Sequence, residues 1–366
     1  MSQQLKYMYD VQFFEQLCPL LMEVIPGFEE RRFVYRVFDT KWPDLELKQR
    51  TRQVTKALKE CLPADYNQAI EIIISICHLV RQRLPGLQSY PLIFLPDYIE
   101  LYGIEYFTSS MRAIEETTKL VSAEFAVRPF IERYPRETMK HMLNWSNHAD
   151  EAVRRLSSEG CRPRLPWAKA LLQFKKDPSA ILPILENLKS DPSDFVRRSV
   201  ANNLHDISKD NPEIVLNIAR KWRSACPETD WIIKHGCRTL LKRGHAQILG
   251  LHGFKSGAKA QIKNLYVLNK VRIGQSLTFR FTFINKEKAS AKFRLDYVIE
   301  YLTRSGNISR KVFKLTENYF KPDNEILFER QKSFKDYTTR KHYKGRHYLR
   351  ILANGTELGA SEFFVI

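Results

Sequence analysis

Residues able to do chemistry gather in two stretches of this chain. The first is Ala152-Val-Arg-Arg-Leu-Ser-Ser-Glu-Gly-Cys-Arg-Pro-Arg-Leu-Pro-Trp-Ala168, where Gly160, Pro163 and Pro166 interrupt a helix and leave Glu159, Arg162, Arg164 and Trp167 in or beside an irregular loop. Charged and aromatic side chains on a loop that a rigid scaffold holds are a usual form of functional site. A plain connecting loop whose Trp anchors the core has the same composition. The second stretch is Ser193-Asp-Phe-Val-Arg-Arg-Ser-Val-Ala-Asn-Asn-Leu-His-Asp-Ile-Ser-Lys-Asp210. Phe195, Ser199, Asn202 and Asp206 are spaced 4, 3 and 4 apart, so they share one stripe of a helix. Asp206 then either faces a groove or pairs with a neighbouring Lys or Arg near the helix end.

Several other chemistries are disfavoured. The chain has no phosphate-binding Gly-rich loop, Walker pattern, His-Glu-x-x-His or Gly-x-Ser-x-Gly. Its six cysteines, Cys18, Cys61, Cys77, Cys161, Cys226 and Cys237, show no Cys-x-x-Cys spacing, so neither a zinc site nor a disulfide framework is expected. The expected compartment is reducing cytosol.

The elements that must position these residues are helices up to about residue 250. Asp177-Pro178, Asp191-Pro192, Asn211-Pro212 and, more weakly, Cys226-Pro227 read as successive helix starts, because Asx in the first three caps orphan backbone donors and Pro costs no hydrogen bond at the first turn. Apolar stripes follow at Ile181, Ile184, Leu185 and Leu188, at Val196, Val200, Leu204 and Ile207, and at Ile214, Val215, Ile218 and Trp222. Val153-Arg-Arg155 returns as Val196-Arg-Arg198, and Asp194-Phe-Val returns as Asp230-Trp-Ile, offsets of 43 and 36 residues. Such offsets suggest an all-α solenoid of HEAT-like repeats, against the alternative of an irregular helical bundle.

After Gly250-Leu-His-Gly-Phe254 and a short basic linker, Lys255 to Lys259, the period becomes two-fold. Leu277, Phe279, Phe281 and Phe283 alternate with polar residues within Ser276 to Ile284, and similar runs occupy Phe293 to Tyr301, Arg310 to Leu315, His347 to Leu352 and Glu362 to Ile366. Six or seven strands in the last third predict an antiparallel immunoglobulin-like β-sandwich. The predicted domains are residues 1–254 and 255–366.

Charge follows the same division. Of 366 residues, 59 are basic and 41 acidic, a net +18. Residues 255–366 hold 23 basic and 10 acidic residues, a net +13, whereas the first 254 carry only +5. An excess of this size implies a polyanionic partner. The most apolar run, Ala69 to Val80, is interrupted by Glu71 and His78 and is too short for a membrane span, and Met1 to Asp10 lacks the pattern of a secretion signal.

The runs VRRLSSEGCRPRLPWAKAL and DFVRRSVANNLHDISKDNPE resemble the DNA alkylation repair glycosylases built from HEAT-like repeats, specifically the AlkC type, one branch of which carries a C-terminal immunoglobulin-like domain. The resemblance covers nearly the whole chain. It implies hydrolysis of the N-glycosidic bond of cationic alkylated bases, notably 3-methyladenine and 3-methylcytosine, in double-stranded DNA and without a cofactor. It further implies active-site carboxylates at Glu159, Asp206 and Glu124, and a base contact at Trp167. Glu124 rests on the local match Ser122-Ala-Glu-Phe-Ala-Val-Arg128.

That chemistry suits the residue types. A cationic base leaves as a neutral molecule, so no general acid is needed. Ionised carboxylates are needed, to stabilise an oxocarbenium-like sugar and to position or deprotonate water. An indole face attracts a cation by about 0.5–2 kcal/mol. No motif singles out a Schiff-base Lys, so a monofunctional enzyme without lyase activity is expected. Arg154, Arg155, Arg162, Arg164, Arg197 and Arg198 are the expected phosphate contacts, and the basic C-terminal domain an expected DNA clamp. The protein is expected to be a cytoplasmic monomer with no membrane partner. A non-catalytic HEAT-repeat scaffold that binds nucleic acid or protein remains the alternative, and a carbohydrate-binding module suits a +13 domain less well.

Overall fold

The computed structural model describes residues 5–85, 90–337 and 340–366. An all-α region precedes a β region: the last helix is Ala246–Leu251 and the first strand Ala260–Val267. Among the described residues no helix is long and apolar enough to cross a membrane.

The helical stripes are buried largely as read. Ile181, Ile184, Leu185 and Leu188 are buried, as are Val196, Val200, Leu204 and Ile207. In helix Pro212–Trp222 the buried face is shifted: Val215, Leu216, Ala219 and Trp222 are inside, while Ile214 and Ile218 are half-exposed. Pro212 and Pro227 open helices directly. Asp177 and Asp191 do not. Each turns its carboxylate onto the amide two residues ahead, Ser179 and Ser193, both at 2.9 Å, and helices Leu182–Leu188 and Asp194–Asp210 begin later. An Asx-turn has taken the side chain that a helix cap would have used.

The repeated Val-Arg-Arg has a repeated geometry. Arg154 donates to the carbonyls of His148 and Ala149 at 3.0 and 2.7 Å, and Arg197 to those of Asp191 and Pro192 at 2.8 and 2.7 Å. In both, the guanidinium closes over the carbonyls just before its own helix, Glu151–Glu159 or Asp194–Asp210, and these two helices pack together.

By contact, the chain forms two compact units that do not divide where the period changes. One holds the residues up to Asn211 with Cys226–Ile232; the other holds Pro212–Ala225 with Ile233–Ile366. Within the second, short helices are bound to strands by specific contacts. Lys234 pairs with Glu317 at 2.7 Å, Lys292 donates to the His252 carbonyl at 3.0 Å, and Gly244 and Gly355 approach so closely that a Cβ on either would strike the other's backbone.

The strands are β1 (Ala260–Val267), β2 (Lys270–Val271), β3 (Ser276–Asn285), β4 (Ala291–Leu302), β5 (Ile308–Phe320), β6 (Glu325–Ser333), β7 (Gly345–Ala353) and β8 (Thr356–Val365). They form two sheets, β1-β3-β6 and β2-β8-β7-β4-β5, antiparallel except for the β2–β8 pair. Asn354 and Gly355, with φ of 48° and 82°, make the two-residue loop between β7 and β8, as an Asn-Gly hairpin requires. The alternating Leu277, Phe279, Phe281 and Phe283 are all fully buried in one core with residues of the second sheet.

Phe283 lies 5.2 Å from Phe293 and 4.9 Å from Phe320 by ring centroids. Phe283→Ala leaves a cavity there, and the expected loss is about 3–5 kcal/mol, read as a lower midpoint of urea unfolding. An unchanged midpoint would show that this cluster does not hold the β region together.

Candidate active site

Helix Glu151–Glu159 begins on Asp150, whose carboxylate caps the Ala152 amide at 2.8 Å. It must end as Gly160, because a Cβ there would lie 2.6 Å from Val127 Cγ1 and 3.1 Å from the Leu156 carbonyl oxygen. The loop that follows is drawn onto Arg128. This buried guanidinium donates to the carbonyls of Gly160, Arg162 and Lys169 at 2.8, 3.0 and 2.7 Å, so three carbonyls of irregular backbone converge on one side chain. Trp167 projects from this loop with a left-handed φ of 64° and is 61% exposed. Such a conformation for a bulky residue is uncommon and costs of order 1–3 kcal/mol. The Trp167 carbonyl accepts from Lys48 Nζ, which helps to fix it.

Residues 155, 159 and 162 meet residues from two distant segments. Arg155 Nη1 is 2.7 Å from Glu124 Oε2 and its Nη2 is 3.6 Å from Glu159 Oε1. Arg162 Nη1 reaches Glu159 Oε1 at 2.6 Å, and its Nε reaches Asp206 Oδ2 at 2.9 Å. Three carboxylates and two guanidiniums therefore alternate in one row. Lys209 Nζ ends the row, 3.0 Å from Asp206. Burial works against the Arg162 charge, but the fields of Glu159 and Asp206 outweigh it and hold this guanidinium above its ordinary value. Ser122 Oγ accepts from Arg155 at 2.6 Å and donates to Glu124 at 2.9 Å.

A cavity of about 570 Å³ opens onto this row, bordered by Glu124, Arg155, Glu159, Trp167 and Phe195. Asp206 does not border it; at 1% exposure it lies one layer behind, reached through Arg162. Trp167 also borders a second cavity, of about 330 Å³. The site thus offers a planar ligand two carboxylate edges and aromatic faces.

The sequence and the fold agree with known proteins at this point. A family model described as DNA alkylation repair enzyme matches residues 120–238, and one described as the C-terminal Ig-like domain of the uncharacterised protein YhaZ matches residues 261–366. The Bacillus subtilis (strain 168) protein YhaZ is 41% identical over 99% of both chains. The Pseudomonas fluorescens alkylpurine DNA glycosylase AlkC, solved bound to DNA containing an abasic site analogue, is 34% identical with a TM-score of 0.93, and the match covers all of both chains. The chain belongs to the AlkC-type DNA alkylation repair glycosylases.

In this AlkC-type protein the six arginines singled out from sequence take different places. Arg155 and Arg162 belong to the charged row. Arg154 holds Asp191 through both oxygens, at 2.6 and 3.1 Å, and Arg197 is folded onto backbone carbonyls. Arg164 pairs with Asp210 at 2.7 Å and Arg198 with Asp194 at 2.7 Å; with side chains 36% and 69% exposed, these two are the most open to an outside partner. Four contributors had no role in the sequence reading: Lys48, Ser122, Arg128 and Phe195. Ser122 and Arg128 bound the very segment that pointed to Glu124, and Phe195 opened the stripe that pointed to Asp206.

Arg128→Met keeps the bulk and removes three hydrogen bonds from a charged donor, each contributing about 1.5–3 kcal/mol. Backbone amides of residues 160–171 should then exchange with deuterium at least about tenfold faster, while helix Asp194–Asp210 is unchanged. Wild-type exchange in the loop would show that something other than Arg128 holds it.

Proposed function

We propose that this protein is a monofunctional DNA glycosylase that hydrolyses the N-glycosidic bond of cationic alkylated bases, 3-methyladenine and 3-methylcytosine foremost, in duplex DNA. The observation that carries the reading is the row of carboxylates opening on a cavity walled by aromatic faces. Membership of the AlkC type supports it. On this reading the helical region is a HEAT-like solenoid, and the β region is an immunoglobulin-like sandwich whose +13 charge grips the duplex.

The lesion itself supplies part of the driving force. Its base already carries a positive charge, so breaking the bond from sugar to nitrogen releases a neutral base and needs no proton donor. Charge moves to the sugar. Glu159, facing the cavity and fixed by Arg162, stabilises that oxocarbenium-like sugar and orients the water that attacks it. Asp206 contributes from behind, holding Arg162 and with it the position of Glu159. Glu124, which also borders the cavity, attracts the base cation, as does the exposed face of Trp167. Arg164 and Arg198, the two open guanidiniums, are the preferred phosphate contacts of the helical region.

Glu159→Gln and Asp206→Asn keep shape and remove charge. Each should lower release of 3-methyladenine from methylated DNA by about 10²–10³-fold, with DNA affinity retained. Release at the wild-type rate by both variants would remove the site assignment.

A further inference from the structure

Arg155 occupies a cage built for a cation. Its guanidinium is 2.7 Å from Glu124, 3.6 Å from Glu159 and 2.6 Å from Ser122 Oγ, and its central carbon lies 4.8 Å from the centroid of the Phe195 ring. Carboxylate edges on one side and an aromatic face on another select a flat, delocalised monocation. A guanidinium has this chemistry. So does an adenine or cytosine methylated at N3, which spreads one positive charge over an N–C–N unit of a planar group. Two like charges cannot share the cage, since each would face the other rather than the carboxylates.

We propose that Arg155 is a resident counter-ion, which the alkylated base displaces on binding and which returns once that base has lost its charge. The inference rests on the glycosylase reading above and deepens it. In the free protein Arg155 keeps Glu124 and Glu159 paired, so the cavity holds no uncompensated charge. A cationic base replaces that compensation, and the released guanidinium turns to the polyanionic DNA. When the bond from sugar to nitrogen breaks, its electron pair passes to the base, which becomes neutral; water adds to the sugar carbon and releases one proton to the solvent. The neutral base no longer balances the carboxylates. Arg155 then re-pairs with them and expels it. An uncharged base offers no compensation and leaves the cage shut.

The cage can be tested without DNA. Full-length wild type, Arg155→Gln and Arg155→Ala are titrated by ligand-observed NMR with methylguanidinium and with methylurea, its uncharged near-isostere; circular dichroism reports folding, and Arg155→Gln retains most of the packing. The variants should bind methylguanidinium at least about tenfold more tightly than wild type, and none should prefer methylurea. In base-release assays the inhibition constant for free, uncharged 3-methyladenine should fall by a similar factor in Arg155→Gln, because nothing then expels the product. Equal methylguanidinium affinity in wild type and a folded variant would overturn the proposal. So would an unchanged inhibition constant together with a flatter salt dependence of DNA binding, which would make Arg155 a phosphate contact alone. A wild-type protein that releases no base would refute the glycosylase reading, while the cation titration would still decide the cage.

Discussion

The alternation of charge from Glu124 through Arg155, Glu159 and Arg162 to Asp206 is the interaction on which the rest of the structure depends. A buried carboxylate without a partner would take up a proton or unfold its surroundings, and a site for a cation needs carboxylates that stay ionised. Threading guanidiniums between them meets both demands. With Lys209 at its far end the row sets three carboxylates against three cations, so none of the three carboxylates lacks a charged partner. Its geometry demands precise supports: residues 124, 155 to 162 and 206 come from three separate segments, and helix-to-helix packing must bring them within hydrogen-bonding distance.

Those supports are largely hidden hydrogen bonds. Arg128 gathers the carbonyls of the loop after Gly160, and Lys48 donates to the carbonyl of Trp167, a residue with a left-handed backbone. Ser158 Oγ meets Ser199 Oγ at 2.7 Å, and Asn203 donates to the Ser158 carbonyl at 2.7 Å, locking the helix that carries Glu159 onto the helix that carries Asp206. The strain at Trp167 is thus carried by a site whose other members are held firmly.

What the sequence made legible follows from range. Periodicity is local, so the helical stripes and the alternating Phe279, Phe281 and Phe283 could be read directly; the 4, 3, 4 stripe did not fix burial, since Ser199 and Asp206 are buried, Asn202 half-buried and Phe195 exposed. β1 and β6 escaped because their exposed and polar residues blur the two-fold pattern, and β2 is only two residues long. The contact boundary at Asn211 escaped because it depends on which strands the short helices meet, not on their own period. Partner choice was least legible. Arg162 and Asp206 lie 44 residues apart, and an arginine that binds a carboxylate reads the same in sequence as one that awaits a phosphate. The resemblance to the repair family supplied Glu124; Glu159 and Arg162 already stood out in their loop, and the fold supplied the pairing of Arg155 and Arg162 with the carboxylates.

If the row exists to hold a cation, charge on the leaving base should matter more than its shape. The most direct measurement is a time course of base release from duplexes containing 3-methyladenine, set beside the affinity for the same duplex carrying the uncharged 3-deaza analogue. The account predicts release of the charged base and no preference for the analogue over undamaged DNA. Selective, tight binding of the uncharged analogue would contradict it, because shape rather than charge would then be what the site recognises.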